Sequence, residues 1–422
     1  MVVTDRTPLF VAGGSDVDLA DPQFFTGDRF LDVAGEARRR HPVAWTNPGR
    51  DGFWSVTAYR PARDVLRQPE TFTSTRGMRL GSGGASVAAA SGRMLVVSDG
   101  ADHQRLRPAH ARWFSSRGLA DLASGLRDTV EHRLRDLVGR GGPVDVVAEL
   151  ALPVPSWVLF TMMGVPREDW DELAGLTAAG FDDADTAPAA AAERTAAHSA
   201  IFAYFFDLLE QRRADPGDDI VSTLATSNYG GRPLTDEEIV LNCDGLLNGG
   251  LETTPHAISG AILAFARHPE QWRRLRADPG LLDTAVEEIL RYTSPPGHAM
   301  RTATRPATLG AATIAEGDRV VVWLPSCNRD EDVFPEPDRF LVDRRPNKHL
   351  GFGGGPHYCV GAALARLELR CVLESMLGTV ADIHETAQPA RQASNFLNGL
   401  RRLDVVLDPA VSTVTRAGGP RR

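Results

Sequence analysis

One cysteine lies in a setting that can make it reactive. Cys359 follows three consecutive glycines and a proline in the segment HLGFGGGPHYCVGAALARLE, residues 349–368. The glycines allow the backbone to turn tightly, and a helix is predicted from about Ala362, with Arg366 and Glu368 on its outer face. A cysteine just before a helix N-terminus lies at the positive end of the helix dipole, which favours the thiolate. The alternative interpretation is a buried structural cysteine beside a glycine turn.

The same segment resembles a known family signature at every fixed position. FGGGPHYCVG is similar to the Phe-Gly-x-Gly-x-His-x-Cys-x-Gly signature of the cytochrome P-450 (haem-thiolate monooxygenase) family, and the resemblance covers roughly residues 20–408. It implies haem b as the cofactor, with Cys359 as the axial thiolate and hence the metal ligand. It also places Phe352 on the ligand side of the haem and Gly361 in the cofactor-binding segment, while backbone N–H groups after Gly353 tune the sulfur.

A second segment that resembles the family is EILR, from Glu288 to Arg291. Taken alone, a carboxylate and an arginine three residues apart are a common surface pair on a helix. The resemblance implies instead a buried pair that stabilises the core beneath the haem, with a third partner from the later loop. Either Arg339 or Arg344 could be that partner. We therefore expect a structural role for Glu288 and Arg291.

The two propionates of a haem need cationic or hydrogen-bonding partners. His103 and Arg107, in the segment DHQRLR, resemble the propionate-binding residues of an early helix of the family. Arg301 matches the arginine of the strand that follows the EILR segment, and His349 matches the histidine ahead of the glycine turn. The resemblance implies that these four side chains bind the propionates through charge-assisted hydrogen bonds.

A pair of glycines, Gly249 and Gly250, lies midway along a predicted long helix in the segment NGGLETT. Two adjacent glycines in a helix favour a kink. The resemblance gives this kink a role, because it would leave room for dioxygen at the haem. It also implies that Glu252 and Thr253 are the acid and the alcohol of the catalytic pair, which deliver protons during dioxygen activation.

Two features predict a local opening of this helix. The Thr253 hydroxyl can reach back to the carbonyl of Gly249, four residues earlier. Pro255 lacks the N–H that would bond the carbonyl of Leu251. The freed carbonyl either widens the oxygen groove or admits a water, and the sequence leaves both alternatives open.

Helical patterns dominate the elements that must position these residues. Apolar residues recur on one helix face over Leu119–Leu137. A single helix is predicted over Asp236–Arg267, and Thr235 and Glu238 form a capping box at its start. The predicted fold class is mainly α with small β-sheets, and the resemblance implies the cytochrome P-450 fold, with the haem between the long central helix and the cysteine-ligand loop and helix. The strand-like segments are Phe53–Thr57, Arg319–Trp323 and Leu403–Leu407.

The landmarks converge on one haem, so a single cytochrome P-450 domain is predicted over residues 21–410 of the 422. An N-terminal arm over residues 1–20 precedes it, and a disordered tail over residues 411–422 follows. Two segments rich in small residues interrupt the helical patterns. Ser82–Arg93 is predicted to be a mobile loop, and Asp182–Glu193 an excursion between two helices.

Composition narrows the class of protein. With 46 basic and 55 acidic residues the formal net charge is −9, which argues against a nucleic-acid partner. The four cysteines form no CxxC pair, so a reducing compartment is expected. We find no signal-peptide pattern and no apolar run of membrane-spanning length. The sequence therefore predicts a cytoplasmic protein without membrane association.

The resemblance implies a monooxygenase that activates O2 to hydroxylate or epoxidise a lipophilic small molecule, first of all in a tailoring step of natural-product biosynthesis. The alternatives are sterol or terpenoid hydroxylation, atypical oxidative coupling or nitration, and a non-catalytic haem-binding recruitment protein. Electrons would come from NAD(P)H through a ferredoxin and a ferredoxin reductase. A monomer is expected, with Arg112, Arg366 and Arg370 facing an acidic redox partner. Substrate contacts are expected from Thr71–Val97, from residues 180–195, and from Pro295–Ala299 with Asn395–Asn398.

Overall fold

The computed structural model describes residues 17–47, 52–81, 84–180 and 188–410. The tail predicted over residues 411–422, most of the predicted N-terminal arm and residues 182–187 of the second small-residue segment lie outside the described residues. The helices, in chain order, are α1 (Arg29–Arg40), α2 (Tyr59–Arg67), α3 (Gly84–Ala90), α4 (Gly100–Ala111), α5 (Ser116–Arg140), α6 (Pro153–Met163), α7 (Trp170–Gly180), α8 (Pro188–Ala214), α9 (Ile220–Thr226), α10 (Asp236–Leu251), α11 (Thr254–Arg267), α12 (Pro269–Ala277), α13 (Leu282–Thr293), α14 (Leu324–Cys327) and α15 (Ala362–Thr379).

The strands are short, as the sequence predicts. They are β1 (Val43–Thr46), β2 (Phe53–Val56), β3 (Phe72–Thr73), β4 (Val144–Asp145), β5 (Asn228–Tyr229), β6 (Arg232–Pro233), β7 (His298–Ala303), β8 (Ala307–Leu309), β9 (Ala312–Ile314), β10 (Arg319–Trp323), β11 (Val380–Glu385), β12 (Ala390–Arg391), β13 (Leu400–Arg402) and β14 (Asp404–Pro409). The largest sheet has the order β1-β2-β10-β7-β3. Within it β2 and β10 are parallel, and the other neighbouring strands are antiparallel.

The helical core forms around α5, whose apolar face is the one predicted from the sequence. Leu126, Val130 and Leu134 on this face have no solvent exposure, and α5 packs along α15, the helix that follows Cys359. The predicted mobile loop Ser82–Arg93 is different in the structure, because most of it forms α3. Its alanines favour a helix enough to offset the flanking glycines. Within the described residues no helix is both long and apolar enough to cross a lipid bilayer.

The predicted single helix over Asp236–Arg267 is wrong, because the chain forms two helices there. The predicted capping box is present at the start of α10, where the Thr235 hydroxyl accepts from the Glu238 N–H at 3.2 Å. However, α10 ends at Leu251 and α11 begins at Thr254. Pro255 cannot donate to the Leu251 carbonyl, so the regular hydrogen-bond pattern stops at that carbonyl.

Candidate active site

The cysteine loop is shaped by close backbone contacts. The Cys359 N–H donates to the Phe352 carbonyl at 3.0 Å, and the Gly353 N–H donates to the Leu350 carbonyl at 2.8 Å. Gly355 has a φ of +66°, and a Cβ there would overlap the carbonyl oxygen of Leu66 at the end of α2. Only glycine fits this turn, which therefore holds the loop against α2 and directs the chain into α15.

The Cys359 side chain is exposed, whereas the other three cysteines are buried. Protein nevertheless surrounds the sulfur, since desolvation raises the pKa of the Cys359 thiol above its usual value. The Gly361 N–H and the charges of Arg107 and Arg366 act in the opposite direction. The Gly361 N–H at the start of α15 thus favours the thiolate, in the direction that the sequence predicts, while burial of the sulfur opposes it.

Next to the cysteine loop, α4, β7 and residue 357 bring together a polar cluster. The rings of His103 and His357 lie 4.5 Å apart between centroids, and His357 Nε2 lies 2.7 Å from Asp99 Oδ1. Burial acts to raise the pKa of Asp99, but hydrogen bonds from His357, Thr73 and Ser74 hold that pKa well below its usual value. Asp99 is thus an ionised carboxylate that orients His357.

Two buried groups of this cluster make no hydrogen bond or ion pair with a carboxylate of the described residues, although the charge of Asp99 acts on both. His103 Nε2 is buried with no hydrogen-bond partner, and burial lowers the pKa of His103 to about 4. Arg301 is 5% exposed, and its guanidinium donates to the Met300 carbonyl at 2.8 Å and makes no ion pair with a described carboxylate. Burial lowers the pKa of Arg301 to about 10. Because unpaired buried polar groups are costly, these residues fit a cofactor that brings its own carboxylates, as haem does.

Two of the predicted propionate ligands have other contacts in the structure. Arg107 donates to the carbonyls of Pro356 at 3.1 Å and Tyr358 at 2.7 Å, so it ties α4 to the cysteine loop. His349 lies away from the cluster, with its Nε2 3.2 Å from a Glu287 oxygen. The histidine that joins the cluster is His357. Sequence reasoning missed it, although the signature contains a fixed histidine two residues before the cysteine.

The buried Glu288–Arg291 pair is present, and the structure identifies its third partner. Both side chains have no solvent exposure, and Arg291 Nε lies 2.8 Å from Glu288 Oε2. Arg344 Nε lies 3.0 Å from the same oxygen. The Arg339 side chain is at the surface, where it pairs with Glu336, and only its backbone carbonyl accepts from Arg291. Arg344 is therefore the partner that the sequence left undecided.

This arrangement predicts unequal effects for two nearby arginines. We expect Arg344→Ala to lower the free energy of unfolding by about 3–5 kcal/mol, because it leaves a buried carboxylate with one cation fewer. Arg339→Ala is the matched control and should leave the free energy of unfolding nearly unchanged, because its ion pair with Glu336 is at the surface. Urea-induced unfolding of the haem-loaded chain measures both values. Equal losses in the two variants would contradict the assignment.

The break between α10 and α11 contains the predicted catalytic pair. The Thr253 hydroxyl donates to the Gly249 carbonyl at 2.8 Å, as the sequence predicts. Glu252 and Thr253 form the turn between the two helices. Gly249 and Gly250 differ in their surroundings. A Cβ on Gly249 would meet nothing within 4 Å, whereas one on Gly250 would overlap Leu159 of α6. Gly249 thus borders open space, and Gly250 permits close packing of α10 on α6.

The break lies beside the helix that follows Cys359. Glu368 of α15 is 2% exposed, so its predicted outward position is wrong. Burial raises the pKa of Glu368 to about 8, although the nearby Thr254 hydroxyl favours the ionised form, and Oε1 has no partner within the described part of the chain. The burial of Glu368 depends on α5 and α11, which both pack on α15 from positions remote in sequence.

The raised pKa of Glu368 predicts a pH dependence of stability. Because the folded chain binds this proton more tightly than the unfolded chain, its contribution is present at low pH and is lost as the pH rises from 4.5 to about 8. The loss amounts to about 4–5 kcal/mol over this window. We expect Glu368→Gln to remove this loss and Glu193→Gln, an exposed control on α8, to keep it. Parallel curves of unfolding free energy against pH for wild type and Glu368→Gln would contradict the prediction.

The helical fold, the cysteine loop before α15 and the interrupted central helix define a haem-thiolate class of protein. A family model described as Cytochrome P450 matches residues 181–279 and 278–389. The chain belongs to the cytochrome P450 family and is a monooxygenase of that family, which uses haem with a cysteine thiolate ligand and electrons derived from NAD(P)H.

Relatives of known name support the same assignment over nearly the whole chain. Cytochrome P450 NovI of Streptomyces niveus is 36% identical over 92% of this chain and 96% of its own length. Linalool 8-monooxygenase of Pseudomonas putida is 37% identical over 93% of this chain and 99% of its own. The crystal structure of P450 OxyD, described as involved in the biosynthesis of vancomycin-type antibiotics, is 36% identical with a TM-score of 0.82, covering 93% of this chain and 100% of OxyD.

Proposed function

We propose that the chain binds haem through the Cys359 thiolate, activates dioxygen there and hydroxylates or epoxidises a lipophilic small molecule. The observation that carries this proposal is the cluster beside the cysteine loop. There His103 Nε2 is buried without a hydrogen-bond partner, and Arg301 is buried without an ion pair to a described carboxylate, although the charge of Asp99 acts on both. A cofactor with two carboxylates satisfies both groups. Cys359 is the exposed cysteine of the chain and lies two residues after His357 of the same cluster.

In this proposal each nearby residue has a separate task in binding. His103, Arg107 and Arg301 hold the propionates, with His357 in the place expected for His349. Gly361 directs its N–H toward the sulfur and favours the thiolate. When bound, the haem supplies the electron-transfer and oxygen chemistry that oxidises the substrate. The Phe352 carbonyl accepts a hydrogen bond from the Cys359 N–H, and this bond fixes the loop around the sulfur.

Proton delivery is the proposed task of Thr253 and Glu252. The Thr253 proton points to the Gly249 carbonyl at 2.8 Å, so the lone pairs of Oγ1 are free to accept a proton from the other side. To pass on a proton, the hydroxyl would release the Gly249 carbonyl and give up its own hydrogen while its oxygen accepts another from Glu252. Glu252, half-buried in the same turn, takes up protons from solvent and gives them to Thr253.

Electron transfer requires a docking surface near Cys359, and bacterial members of the family generally use a ferredoxin and its reductase. The predicted Arg366 and Arg370 are less suited than expected, because Glu287 and Asp283 neutralise them. A depression of about 550 Å³ beside the loop offers cations that form no ion pair with a described residue. These are Arg63, Arg67 and Lys348. In this proposal an acidic ferredoxin docks there.

The proposed substrate is a lipophilic molecule in a natural-product tailoring step. Support comes from the names of two relatives, since OxyD is described as involved in antibiotic biosynthesis and the Pseudomonas enzyme acts on linalool. The name of the Pseudomonas enzyme favours terpenoid hydroxylation as the alternative. Steroid C26-monooxygenase of Mycolicibacterium smegmatis, 33% identical, favours sterols in the same way. Linalool and steroids are largely apolar and carry few hydrogen-bonding groups, which favours a lipophilic substrate.

Isotope labelling tests the proposed reaction. Natural products, terpenoids and sterols are screened for compounds that shift the haem spin state, and each compound that does so is incubated with NAD(P)H, ferredoxin, reductase and ¹⁸O2. We expect a product that gains one oxygen atom, labelled from ¹⁸O2. A product without the label would contradict oxygen insertion, and a product with a new ring-to-ring bond would favour oxidative coupling.

A further inference from the structure

A single buried side chain joins the loop before α4 to the central helix. Asn242 of α10 is 2% exposed. Its Oδ1 accepts from the Leu95 N–H at 3.0 Å and lies 3.1 Å from His110 Nε2. Its Nδ2 donates to the Arg93 carbonyl at 2.7 Å and to the Glu238 carbonyl at 2.6 Å. The carboxamide therefore uses both of its acceptor positions and both of its donors.

His110 extends this connection to the helix that carries His103 and Arg107. Because Asn242 Nδ2 faces two carbonyls, Oδ1 is the acceptor, and His110 must carry its proton on Nε2. Burial lowers the pKa of His110 to about 4, so the ring is neutral and suited to this single donation. Asn242 thus fixes the loop, α4 and α10 relative to one another.

Between the two loop residues that Asn242 binds lies Met94, which contacts α10. A Cβ on Gly245 would lie 2.8 Å from the Met94 Cε, so the methionine methyl occupies the place of that side chain. Gly245 and Gly249 are one turn apart on the same face of α10. Gly249 is exposed and has nothing within 4 Å of its Cβ position. Met94 therefore lies on the same face of α10 as this open space, one helical turn away.

We propose that Asn242 is a positioning residue that holds Met94 against Gly245, and that Met94 in this position limits the size of the ligand admitted at Gly249. The inference rests on the proposed function, because it takes the space at Gly249 to be the ligand pocket. Neither Asn242 nor Met94 takes part in the chemistry. Their effect is on which ligand fits.

Gly245 makes the inference testable without loss of the fold. Alanine favours a helix over glycine, and the atom that its Cβ would displace is the flexible end of Met94. Gly245→Ala should therefore move Met94 into the pocket while stability is kept. Met94→Ala should enlarge the pocket. The double variant, which carries both Gly245→Ala and Met94→Ala, should regain the pocket volume that Gly245→Ala alone removes. Asn242→Leu keeps the volume but leaves the Arg93 carbonyl and the Leu95 N–H without their partner, which frees the loop.

The experiment uses the full haem-loaded chain and two probes that bind haem iron through nitrogen, imidazole and the bulkier 4-phenylimidazole. Soret shifts give the two dissociation constants, and their ratio reports the pocket size. We expect Gly245→Ala to raise the dissociation constant of 4-phenylimidazole about tenfold and that of imidazole less than about twofold. Met94→Ala and the double variant should bind 4-phenylimidazole more tightly than Gly245→Ala does. The ratio for Asn242→Leu should move toward that of Met94→Ala.

A core truncation separates positioning from general weakening. Met376→Ala, in the core part of α15, should lower the melting temperature and leave the ratio unchanged. An unchanged ratio in Gly245→Ala and Met94→Ala would overturn the role of Met94, and an unchanged ratio in Asn242→Leu would overturn that of Asn242. If the wild-type Soret band does not shift with imidazole, the proposed haem site itself is contradicted, and this inference with it.

Discussion

Cys359→Ser is expected to abolish the thiolate-type Soret band of the reduced, CO-bound protein. The alcohol of serine is far less acidic than a thiol and is a poor ligand for the iron, so the electron donation that a thiolate provides is lost. The cluster of His103, His357 and Arg301 remains intact in this variant, so haem retention is expected to fall less than the spectroscopic signature. Absorption spectra and haem content measure the two effects separately.

A serine substitution on the same helix provides the control. Cys371 of α15 is buried, and desolvation raises the pKa of its thiol to about 11, so it offers no thiolate. Cys371→Ser should keep the band. A wild-type protein with the spectrum of a histidine-ligated haem, or a Cys359→Ser variant with an unchanged band, would refute the assignment of the ligand.

Thr253→Ala should separate electron consumption from product formation. The substitution removes the hydroxyl that binds the Gly249 carbonyl at 2.8 Å and that receives protons in the proposed relay. Without ordered protonation, reduced oxygen leaves as hydrogen peroxide. We expect product formation to fall about 100-fold, within the usual range for loss of a positioned acid or base, while NAD(P)H oxidation continues. Simultaneous measurement of NAD(P)H, peroxide and product tests this expectation.

The conservative variant Thr253→Ser distinguishes the hydroxyl from the shape of the helix. Serine keeps the hydroxyl and can form the same bond to the Gly249 carbonyl. It should therefore restore most of the coupling, and both variants should bind haem and substrate as the wild type does. Unchanged coupling in Thr253→Ala would rule out the proton relay through this residue.

Local chemistry explains which parts of the site could be predicted from the sequence. Thr235 and Glu238 form their capping box within four residues, and Thr253 reaches Gly249 within one helical turn, so both contacts follow from sequence spacing. The predicted role of Cys359 came instead from a contiguous signature, which identifies a family more firmly than any single residue does.

The remaining parts depend on contacts between distant segments. Arg339 and Arg344 are equally plausible partners for Glu288 in sequence, and only the path of the loop decides between them. The choice between His349 and His357 as the histidine of the polar cluster is undecided in the same way. The two lie on either side of a glycine turn, and the sequence does not specify the direction of that turn. Composition also could not show whether Ser82–Arg93 forms a loop or a helix such as α3, since small residues, alanine among them, occur in both.

The break at Thr253 also has an evolutionary consequence. Downstream of it, α11 is anchored in the core by Ile258, Ala261 and Ile262, each at most 2% exposed. Upstream, α10 carries Gly249, at the space that we propose to be the ligand pocket, and Gly245, which contacts Met94. Because the helix is interrupted at Glu252 and Thr253, we expect substitutions in α10 to disturb the packing of α11 less than they would in a continuous helix. Such substitutions near Gly249 are therefore the changes through which we expect new substrate preferences to arise.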